Sequence, residues 1–380
     1  MAGAHRRTAA PPSPAAPATA GGRDRYFDVL RAMALIRVVT YHTFEWPWLG
    51  YVFPSMGVMF ALAGSLMARS LRRRPPVAVL RGRLRRLLIP LWLFGLVVGT
   101  AMLAHGWSPG WDAALWVLPV GDPPGDAWGE QAWAVLWYLR AYLWFVLLSP
   151  ALLPLFRRAP LPVLALSLVP ALLLGTVHDV PEGRIGSAVS DASVFLFCWL
   201  LGFAHREGVL DRLPRAGVAA VAAPLMAAGA WWAAAHPVDG SFDLDDIPLA
   251  QTLWSAGFVL LLLRLRPSPG RRGKAAGAAC SAPGPAGPPE HAPVLRRAAA
   301  RTVTVLNARA VTVYLWHEVA LMASVPLIDL MWQVPALERH LPLESVWLQF
   351  GVAWVLIAVA VVSLGWVEDV AARRGPRLLP

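Results

Sequence analysis

Repeated apolar runs of roughly 18 to 22 residues constrain the fold of this chain more than any other feature. A helix of that length spans the hydrocarbon core of a bilayer, which is about 30 Å thick. Of the 380 residues, 57% are hydrophobic and 15% are charged, and no polar stretch is long enough to form a soluble domain. The sequence therefore predicts an all-α fold, a polytopic transmembrane helix bundle of about ten helices. The predicted spans lie near residues 28–45, 50–70, 87–105, 134–156, 160–177, 190–205, 216–235, 249–265, 303–330 and 345–367.

Basic residues are distributed unevenly among the segments that join these runs. Of the 34 Lys and Arg residues, 28 fall in alternate segments, two fall in the remaining loops and four lie inside or at the edges of runs. Cytoplasmic segments of membrane proteins carry such an excess. The asymmetry predicts a multi-pass protein of the cytoplasmic membrane with both termini in the cytoplasm. It also assigns the net charge of +11 to membrane topology rather than to nucleic-acid binding.

Two stretches rich in Pro, Gly and Ala interrupt the apolar pattern. Such a composition buries too little apolar surface to offset the entropy lost on ordering. We predict a disordered cytoplasmic tail over 1–24, a membrane domain over 25–370 with a disordered cytoplasmic loop at about 267–295, and a C-terminal cytoplasmic tail over 371–380. The two cysteines form neither a disulfide framework nor a metal-ligand set, so we expect no metal site and no bound cofactor.

The first run, DVLRAMALIRVVTYHTFEW, carries ionisable residues at membrane depth, where charges are costly and are often functional. His42 follows Arg31 by eleven positions, so the two side chains differ by only about 20° in direction and lie about 16 Å apart along the helix. Asp28 and Glu45 lie within about 60° of the same face. A cation near the inner end suits a donor site, and an imidazole in the outer half suits a general base, with Glu45 orienting its ring.

The ionisable residues in these helices also have purely structural interpretations. Arg31 is close enough to the inner interface to extend its charge into water, and His42 could hydrogen-bond a neighbouring helix. Arg37 faces about 120° away from this pair, and we predict a buried ion pair for it. Arg140 lies among aromatic residues in LWYLRAYLWFVLLSP, where we predict an anchor at the membrane interface.

Two further segments contain candidate site residues. Arg83 and Arg86 precede Pro90 at the start of an apolar run. Arginines near a helix N-terminus bind phosphate through bidentate hydrogen bonds, but they also anchor chains at the inner interface. His317 and Glu318 lie in the apolar run VTVYLWHEVALM, where a histidine is often a packing or hydrogen-bonding residue.

In order and type, these segments resemble the membrane acyltransferase-3 family, from about Tyr26 to the final span. That family begins with an Arg, ten residues and a His, followed by a glycine-containing second span. An Arg-x-x-Arg and a Pro then precede the third span, and a Leu-Trp-aromatic-Leu segment and a late Tyr-Leu-x-His-like segment follow. The matching residues are Arg31 and His42, then Gly57, Phe60 and Gly64, then Arg83, Arg86 and Pro90, then LWYL with Trp137 and Tyr138, and YLWH with His317. The chain departs from the pattern at Val29, usually Gly, and at Ala63, usually Ser, and both departures bear on the substrate pocket.

The resemblance implies an integral membrane O-acyltransferase with a ten-helix core. Such an enzyme moves an acyl group, often acetyl, from acyl-CoA to a hydroxyl of a carbohydrate, a glycolipid or a glycosylated metabolite. We expect His42, Arg31 and Glu45 as catalytic residues, and Arg83 and Arg86 as ligands of the donor phosphates. Further pocket residues are expected at Asp28, Trp137, Tyr138, His317 and Glu318. The expected partners are acyl-CoA as cosubstrate, the hydroxylated acceptor and the lipid bilayer, without a bound cofactor or nucleic acid.

Three other classes of protein remain open from the residues themselves. A proton-coupled transporter or flippase could use Arg31 and His42 as a relay, although the internal repeats typical of many transporters are not visible in the sequence. A membrane glycosyltransferase would place acidic catalytic residues in a large first outer loop, where this chain offers only Glu45. A non-catalytic scaffold leaves the charges of the first helix unexplained.

Overall fold

The structure is a computed structural model that describes residues 24–177, 183–265 and 294–378. These residues fold into helices joined by loops, so the predicted fold class is confirmed. The disordered segments predicted at 1–24 and at about 267–295 lie outside the described residues. The exceptions are Asp24, and Val294 and Leu295, which begin a helix.

Sixteen α-helices and two short 3₁₀ turns occur within the described ranges. The helices are α1 (Arg25–Phe44), α2 (Trp48–Val52), α3 (Ser55–Leu71), α4 (Pro76–Ala104), α5 (Ala127–Trp133), α6 (Leu136–Arg158), α7 (Pro160–Thr176), α8 (Gly183–Arg206), α9 (Val209–Arg212), α10 (Arg215–Ala235), α11 (Pro248–Leu265), α12 (Val294–Ala308), α13 (Ala310–Trp332), α14 (Pro335–His340), α15 (Val346–Leu364) and α16 (Trp366–Ala371). The 3₁₀ turns are Trp111–Trp116 and Leu244–Asp246.

Eight helical segments of the described chain are long and apolar enough to cross a bilayer. They are α2 and α3 taken together, α4, α6, α8, α10, α11, α13 and α15. Helices α1 and α7 coincide with the other two predicted spans: α1 has 20 residues but carries Asp28, Arg31 and Arg37, and α7 is apolar but has 17 residues. The chain is therefore a polytopic helical bundle, and each predicted span overlaps one or two of its helices.

The predicted span at 303–330 is two helices rather than one. Helix α12 ends at Ala308 and α13 begins at Ala310, because Arg309 leaves the helical conformation with φ −117° and ψ 26°. The Arg309 guanidinium is buried and donates hydrogen bonds to the Asp369 carboxylate at 2.7 Å and to the Arg377 carbonyl at 2.6 Å. These two bonds hold Arg309 against α16 and the segment that follows it, at the junction of α12 and α13.

Helix α1 is bounded by a capping group at its start and by a left-handed residue at its end. The Asp24 carboxylate accepts a hydrogen bond from the Tyr26 backbone N–H at 3.2 Å. At the other end, Glu45 adopts a left-handed conformation with φ 50°, and its N–H donates to the Tyr41 carbonyl at 2.7 Å. Because α1 is continuous between these limits, Arg31 and His42 share one face and lie about 16 Å apart along its axis.

Glycines allow α3 and α8 to cross at close range. A Cβ atom at Gly64 would lie 2.2 Å from the Trp199 carbonyl oxygen, and one at Gly202 would lie 2.1 Å from the Ala61 carbonyl oxygen. Small residues at helix crossings are typical of membrane bundles, where they let two backbones touch. This contact fixes the position of α3, which forms one wall of the cavity described below.

The buried cation Arg37 is held by the loop that precedes α11. Its guanidinium lies 3.1 Å from the Asp245 carboxylate and 4.6 Å from the centre of the Tyr41 ring. The buried ion pair that we predict for Arg37 is therefore confirmed. Burial raises the pKa of the neighbouring Asp243 in that loop. Hydrogen bonds from the Asp245 backbone N–H and the Tyr41 hydroxyl lower this pKa but do not cancel the effect of burial.

Arg140 has buried carboxylate partners that the sequence does not predict. Its side chain is 3% exposed and donates hydrogen bonds to the carboxylates of both Asp122 and Asp191. The two acids come from the loop before α5 and from α8, which the sequence does not place beside α6. A buried cation with two carboxylate partners joins these three segments.

Replacing Arg140 with methionine is expected to lower the free energy of unfolding by about 3–5 kcal/mol, because Asp122 and Asp191 would keep their charges without a buried partner. Thermal unfolding of the detergent-purified protein, followed by tryptophan fluorescence, measures the change. Arg184→Met is the matched control: its pair with Asp112 is 43% exposed on the arginine side and contributes about 0–1 kcal/mol. Equal losses in the two variants would contradict a special role for Arg140.

Candidate functional site

A cavity of about 570 Å³ opens between helices α1, α3, α4, α6, α12, α13 and α16. Four arginines line it, Arg31, Arg83, Arg86 and Arg374, and we call it the arginine cavity. Arg86 and Arg374 are exposed, whereas Arg31 and Arg83 are partly buried. The cavity thus has two cations at its accessible side and two farther inside the bundle.

Neutral acceptors hold the two inner arginines. Arg31 donates to the Asn307 side-chain oxygen at 3.2 Å. The Asn307 amide in turn donates to the Asp28 carbonyl at 2.6 Å and to the Val303 carbonyl at 2.8 Å, which fixes its orientation. Because an amide oxygen is the acceptor, this bond orients the Arg31 guanidinium without neutralising its charge.

Arg83 is held in the same manner by hydroxyl groups. It donates to the Tyr142 hydroxyl and to the Ser70 hydroxyl, both at 3.3 Å. Tyr142 belongs to α6 and Ser70 to α3, so the guanidinium connects two walls of the arginine cavity. A cation with neutral hydrogen-bond partners remains available to an anionic ligand.

The C-terminal helix α16 closes one side of the arginine cavity. Glu368 accepts hydrogen bonds from the Thr312 N–H at 2.8 Å and the Thr312 hydroxyl at 2.6 Å, at the start of α13. Burial raises the pKa of Glu368 to about 7, although these two hydrogen bonds lower it. The hydrogen bond from Arg309 lowers the pKa of Asp369, the next residue along α16. The end of the chain is therefore attached to the helix that carries His317.

A second polar group lies at the other end of α1. We call His42, His317 and Glu318 the histidine cluster. The Nδ1 atom of His42 lies 3.4 Å from a Glu318 carboxylate oxygen, and the rings of His42 and His317 lie 5.1 Å apart, edge to face. His42 is 36% exposed, Glu318 is 13% exposed and His317 is fully buried. One partly accessible imidazole is thus held between a carboxylate and a buried imidazole.

Aromatic side chains connect the arginine cavity to the histidine cluster. Tyr138 and Tyr314 line the cavity, and their ring centres lie 5.0 Å apart. The Tyr314 ring is 5.6 Å from the His317 ring, which contacts His42. Tyr314 is fixed by a 2.7 Å hydrogen bond from its hydroxyl to the Val135 carbonyl. A chain of aromatic contacts therefore links the two polar groups.

The structure brings together most of the residues that the sequence predicts. Arg31, Arg83, Arg86, Asp28 and Tyr138 line the arginine cavity. His42, His317 and Glu318 form the histidine cluster. Their catalytic and binding roles stay predictions.

Two predicted residues belong to neither the arginine cavity nor the histidine cluster, although Glu45 is close enough to Glu318 to interact with it electrostatically. Trp137 stacks on Phe195 with ring centres 5.5 Å apart, and it is not among the residues that line the arginine cavity. Glu45 lies beyond the end of α1, and the carboxylate within ion-pair distance of His42 is that of Glu318. The helix ends too early for Glu45 to continue the face that the sequence assigns to it.

Several lining residues have no counterpart in the sequence prediction. They are Asn307, Tyr142, Tyr314, Glu368 and Arg374. Tyr314 lies within the YLWH segment, so its proximity to His317 was available from the sequence. Arg374 lies in the predicted C-terminal tail, where a basic residue is expected from topology alone.

The fold and the site together define a multi-pass helical membrane protein with a cation-lined cavity inside its bundle. A family model described as an acyltransferase domain matches residues 24–367, nearly the whole chain. The chain therefore belongs to the acyltransferase-3 family and is a membrane O-acyltransferase, as the sequence resemblance implies. No curated protein and no solved structure matches it. The family assignment favours an enzyme over the transporter, glycosyltransferase and scaffold alternatives.

Proposed function

We propose that this enzyme transfers an acyl group, with acetyl as the first to test, from acyl-CoA to a hydroxyl group of a carbohydrate, a glycolipid or a glycosylated metabolite. One observation carries the proposal: a cation-lined cavity and an accessible histidine–carboxylate pair lie at opposite ends of the same helix, α1. The acceptor class follows from the family resemblance.

The arginine cavity is the proposed donor site. Coenzyme A carries several phosphate groups, and arginine guanidinium groups bind phosphates through paired, charge-assisted hydrogen bonds. Arg83 and Arg86 are the proposed phosphate ligands, and the exposed Arg374 at the same cavity adds a third cation. Arg31, which lines the same cavity and is held by Asn307, is the residue proposed to line the path of the pantetheine arm.

The histidine cluster is the proposed site of proton transfer. His42 Nδ1 lies 3.4 Å from Glu318, and in the reacting complex the two close to a hydrogen bond in which the Glu318 carboxylate accepts the Nδ1 proton, which leaves Nε2 as the base. As the acceptor oxygen bonds to the thioester carbonyl carbon, Nε2 takes the hydroxyl proton. The carbon–sulfur bond then breaks, and the imidazolium returns the proton to the departing thiolate, giving the ester and free coenzyme A. Holding both reactants in one bundle removes much of the entropic barrier.

Charge distribution supports an orientation for this reaction. The arginine cavity opens at the end of the bundle where α1 begins, next to the basic segment that precedes α4. By the positive-inside rule this end faces the cytoplasm, where acyl-CoA is available. His42 then lies toward the opposite face, and both termini are cytoplasmic.

The double variant Arg83→Ala/Arg86→Ala is expected to weaken coenzyme A binding by about 10- to 100-fold, because each phosphate would lose a charge-assisted partner of about 1.5–3 kcal/mol, partly replaced by water. Equilibrium dialysis of purified protein with coenzyme A measures this without knowledge of the acceptor.

Arg81→Ala is the matched control for donor binding. Arg81 lies in the same basic segment of α4, is exposed and does not line the arginine cavity. We expect the Arg81→Ala protein to bind coenzyme A with the affinity of the wild type. Unchanged affinity in the double variant, or equal losses in both proteins, would rule out the phosphate role.

A further inference from the structure

His317 lies inside the histidine cluster, and the acyl transfer described above assigns it no chemical step. Its Nδ1 atom lies 2.6 Å from the Tyr314 carbonyl oxygen. A carbonyl only accepts hydrogen bonds, so Nδ1 carries the proton and, in the neutral ring, Nε2 presents a lone pair. This Nε2 atom is buried and has no hydrogen-bond partner among the described residues. A buried acceptor without a donor is costly, and its position points to a ligand.

Three possible ligand atoms converge at this position. His42, His317 and Glu318 each offer one, and these atoms lie within 4.8 Å of one another. A tetrahedral zinc ion with bonds of about 2.0–2.2 Å holds its ligands about 3.4 Å apart. The His42 Nδ1 atom and the Glu318 oxygen are already 3.4 Å apart. Because the third ligand atom lies within 4.8 Å of the other two, a shift of at most about 1.4 Å by its side chain completes the spacing.

We propose that the histidine cluster binds one transition-metal cation of the Zn²⁺ class through His42, His317 and Glu318. Two imidazoles and one carboxylate are a common zinc ligand set, and the fourth position stays open. The hydrogen bond from His317 Nδ1 to the Tyr314 carbonyl is the outer contact that fixes a metal-binding ring in place. His42 is 36% exposed and gives the ion an entry path. Mg²⁺ and Ca²⁺ prefer oxygen ligands and are excluded by this donor set.

The consequence for activity rests on the proposed function. Acyl transfer requires the His42 Nδ1 proton to point at Glu318, which leaves the Nε2 lone pair free. A metal ion on Nδ1 moves the proton of the neutral ring to Nε2 and removes that lone pair. The cluster is therefore either a general base or a metal site, and metal occupancy stops acyl transfer.

The test uses the full chain in detergent after treatment with a chelator. Equilibrium dialysis against Zn²⁺ with elemental analysis is expected to give one bound ion per wild-type chain, and Co²⁺ in its place is expected to give the visible absorption of a tetrahedral site. Glu318→Gln and His42→Asn are each expected to weaken Zn²⁺ binding at least 10-fold. His340→Asn, an exposed histidine outside the cluster, is the matched control and should bind as the wild type does.

Activity then separates this inference from the proposed function. Stoichiometric Zn²⁺ is expected to lower acyl transfer by the wild type at least 10-fold, with recovery on adding chelator. Wild-type protein that binds no Zn²⁺, or that binds it equally well after Glu318→Gln, would overturn the metal site even if His42→Asn is inactive. Conversely, Zn²⁺ binding that depends on the cluster, together with full activity in His42→Asn, would support the metal site and reject the base.

Discussion

Replacing His42 with asparagine is expected to lower the rate of acyl transfer by about 10²- to 10⁴-fold, the range that a positioned general base contributes. Asparagine keeps a polar side chain at this position but cannot take a proton from the acceptor hydroxyl. The measurement is transfer of labelled acetyl from acetyl-CoA into the hydroxylated compounds of a cell extract, catalysed by the purified protein.

Coenzyme A binding distinguishes loss of the base from loss of the fold. The arginine cavity is lined by residues other than His42, so the asparagine variant is expected to bind coenzyme A with wild-type affinity. His340→Asn serves as the control for a histidine change at an exposed site and should keep full activity. A His42→Asn protein that transfers acetyl at near the wild-type rate would show that the base lies elsewhere.

Gly202→Leu is expected to prevent stable folding. A Cβ atom there would meet the Ala61 carbonyl oxygen at 2.1 Å, the Ser65 nitrogen at 2.6 Å and the Gly64 carbonyl carbon at 3.0 Å. All three are backbone atoms of α3, so no side-chain rotation relieves the overlap, and α3 and α8 must separate. We expect a loss of more than about 4 kcal/mol, in the exceptional range for one substitution.

Size-exclusion chromatography and thermal unfolding in detergent measure this effect. Gly351→Ala is the matched control, because Gly351 also lies in an apolar helix, α15, and a Cβ atom there meets nothing within 4 Å. Because alanine has a higher helix propensity than glycine, we expect the free energy of unfolding of Gly351→Ala to stay the same or to rise by up to about 1 kcal/mol. A monodisperse Gly202→Leu protein with wild-type thermal stability would refute the close crossing of α3 and α8.

The helical bundle and the approximate positions of its helices were predictable, because apolar runs are a local pattern in the sequence; among the described residues eight segments qualify as membrane spans by length and composition, against about ten predicted. The break at Arg309 was not predictable, since the carboxylate that its guanidinium contacts belongs to Asp369, which lies 60 residues later and reaches Arg309 only in the folded bundle. The partners of Arg140 were not predictable for the same reason. Its aromatic neighbours in sequence indicate an interface, whereas its carboxylate partners come from two other segments.

The candidate site was likewise predictable only in part. Helical geometry places Arg31 and His42 on one face of α1, and the structure keeps them there. The partner of His42 was not predictable. Sequence proximity favours Glu45, but α1 ends at Phe44, and the carboxylate within ion-pair distance of His42 is that of Glu318 on α13. The histidine cluster has no recognisable metal-ligand spacing, because His42 lies more than 270 positions before His317 and Glu318 and meets them only where α1 and α13 pack together.

The most direct test of O-acyl transfer through His42 is a comparison of the acylated compounds in living cells. Glycans, lipids and small metabolites are compared by mass spectrometry among cells that carry the wild-type gene, the His42→Asn gene or no gene. We predict at least one O-acylated product in the wild-type cells that is absent from the other two. Identical acyl profiles in all three would contradict the assignment of this chain as an O-acyltransferase that acts through His42.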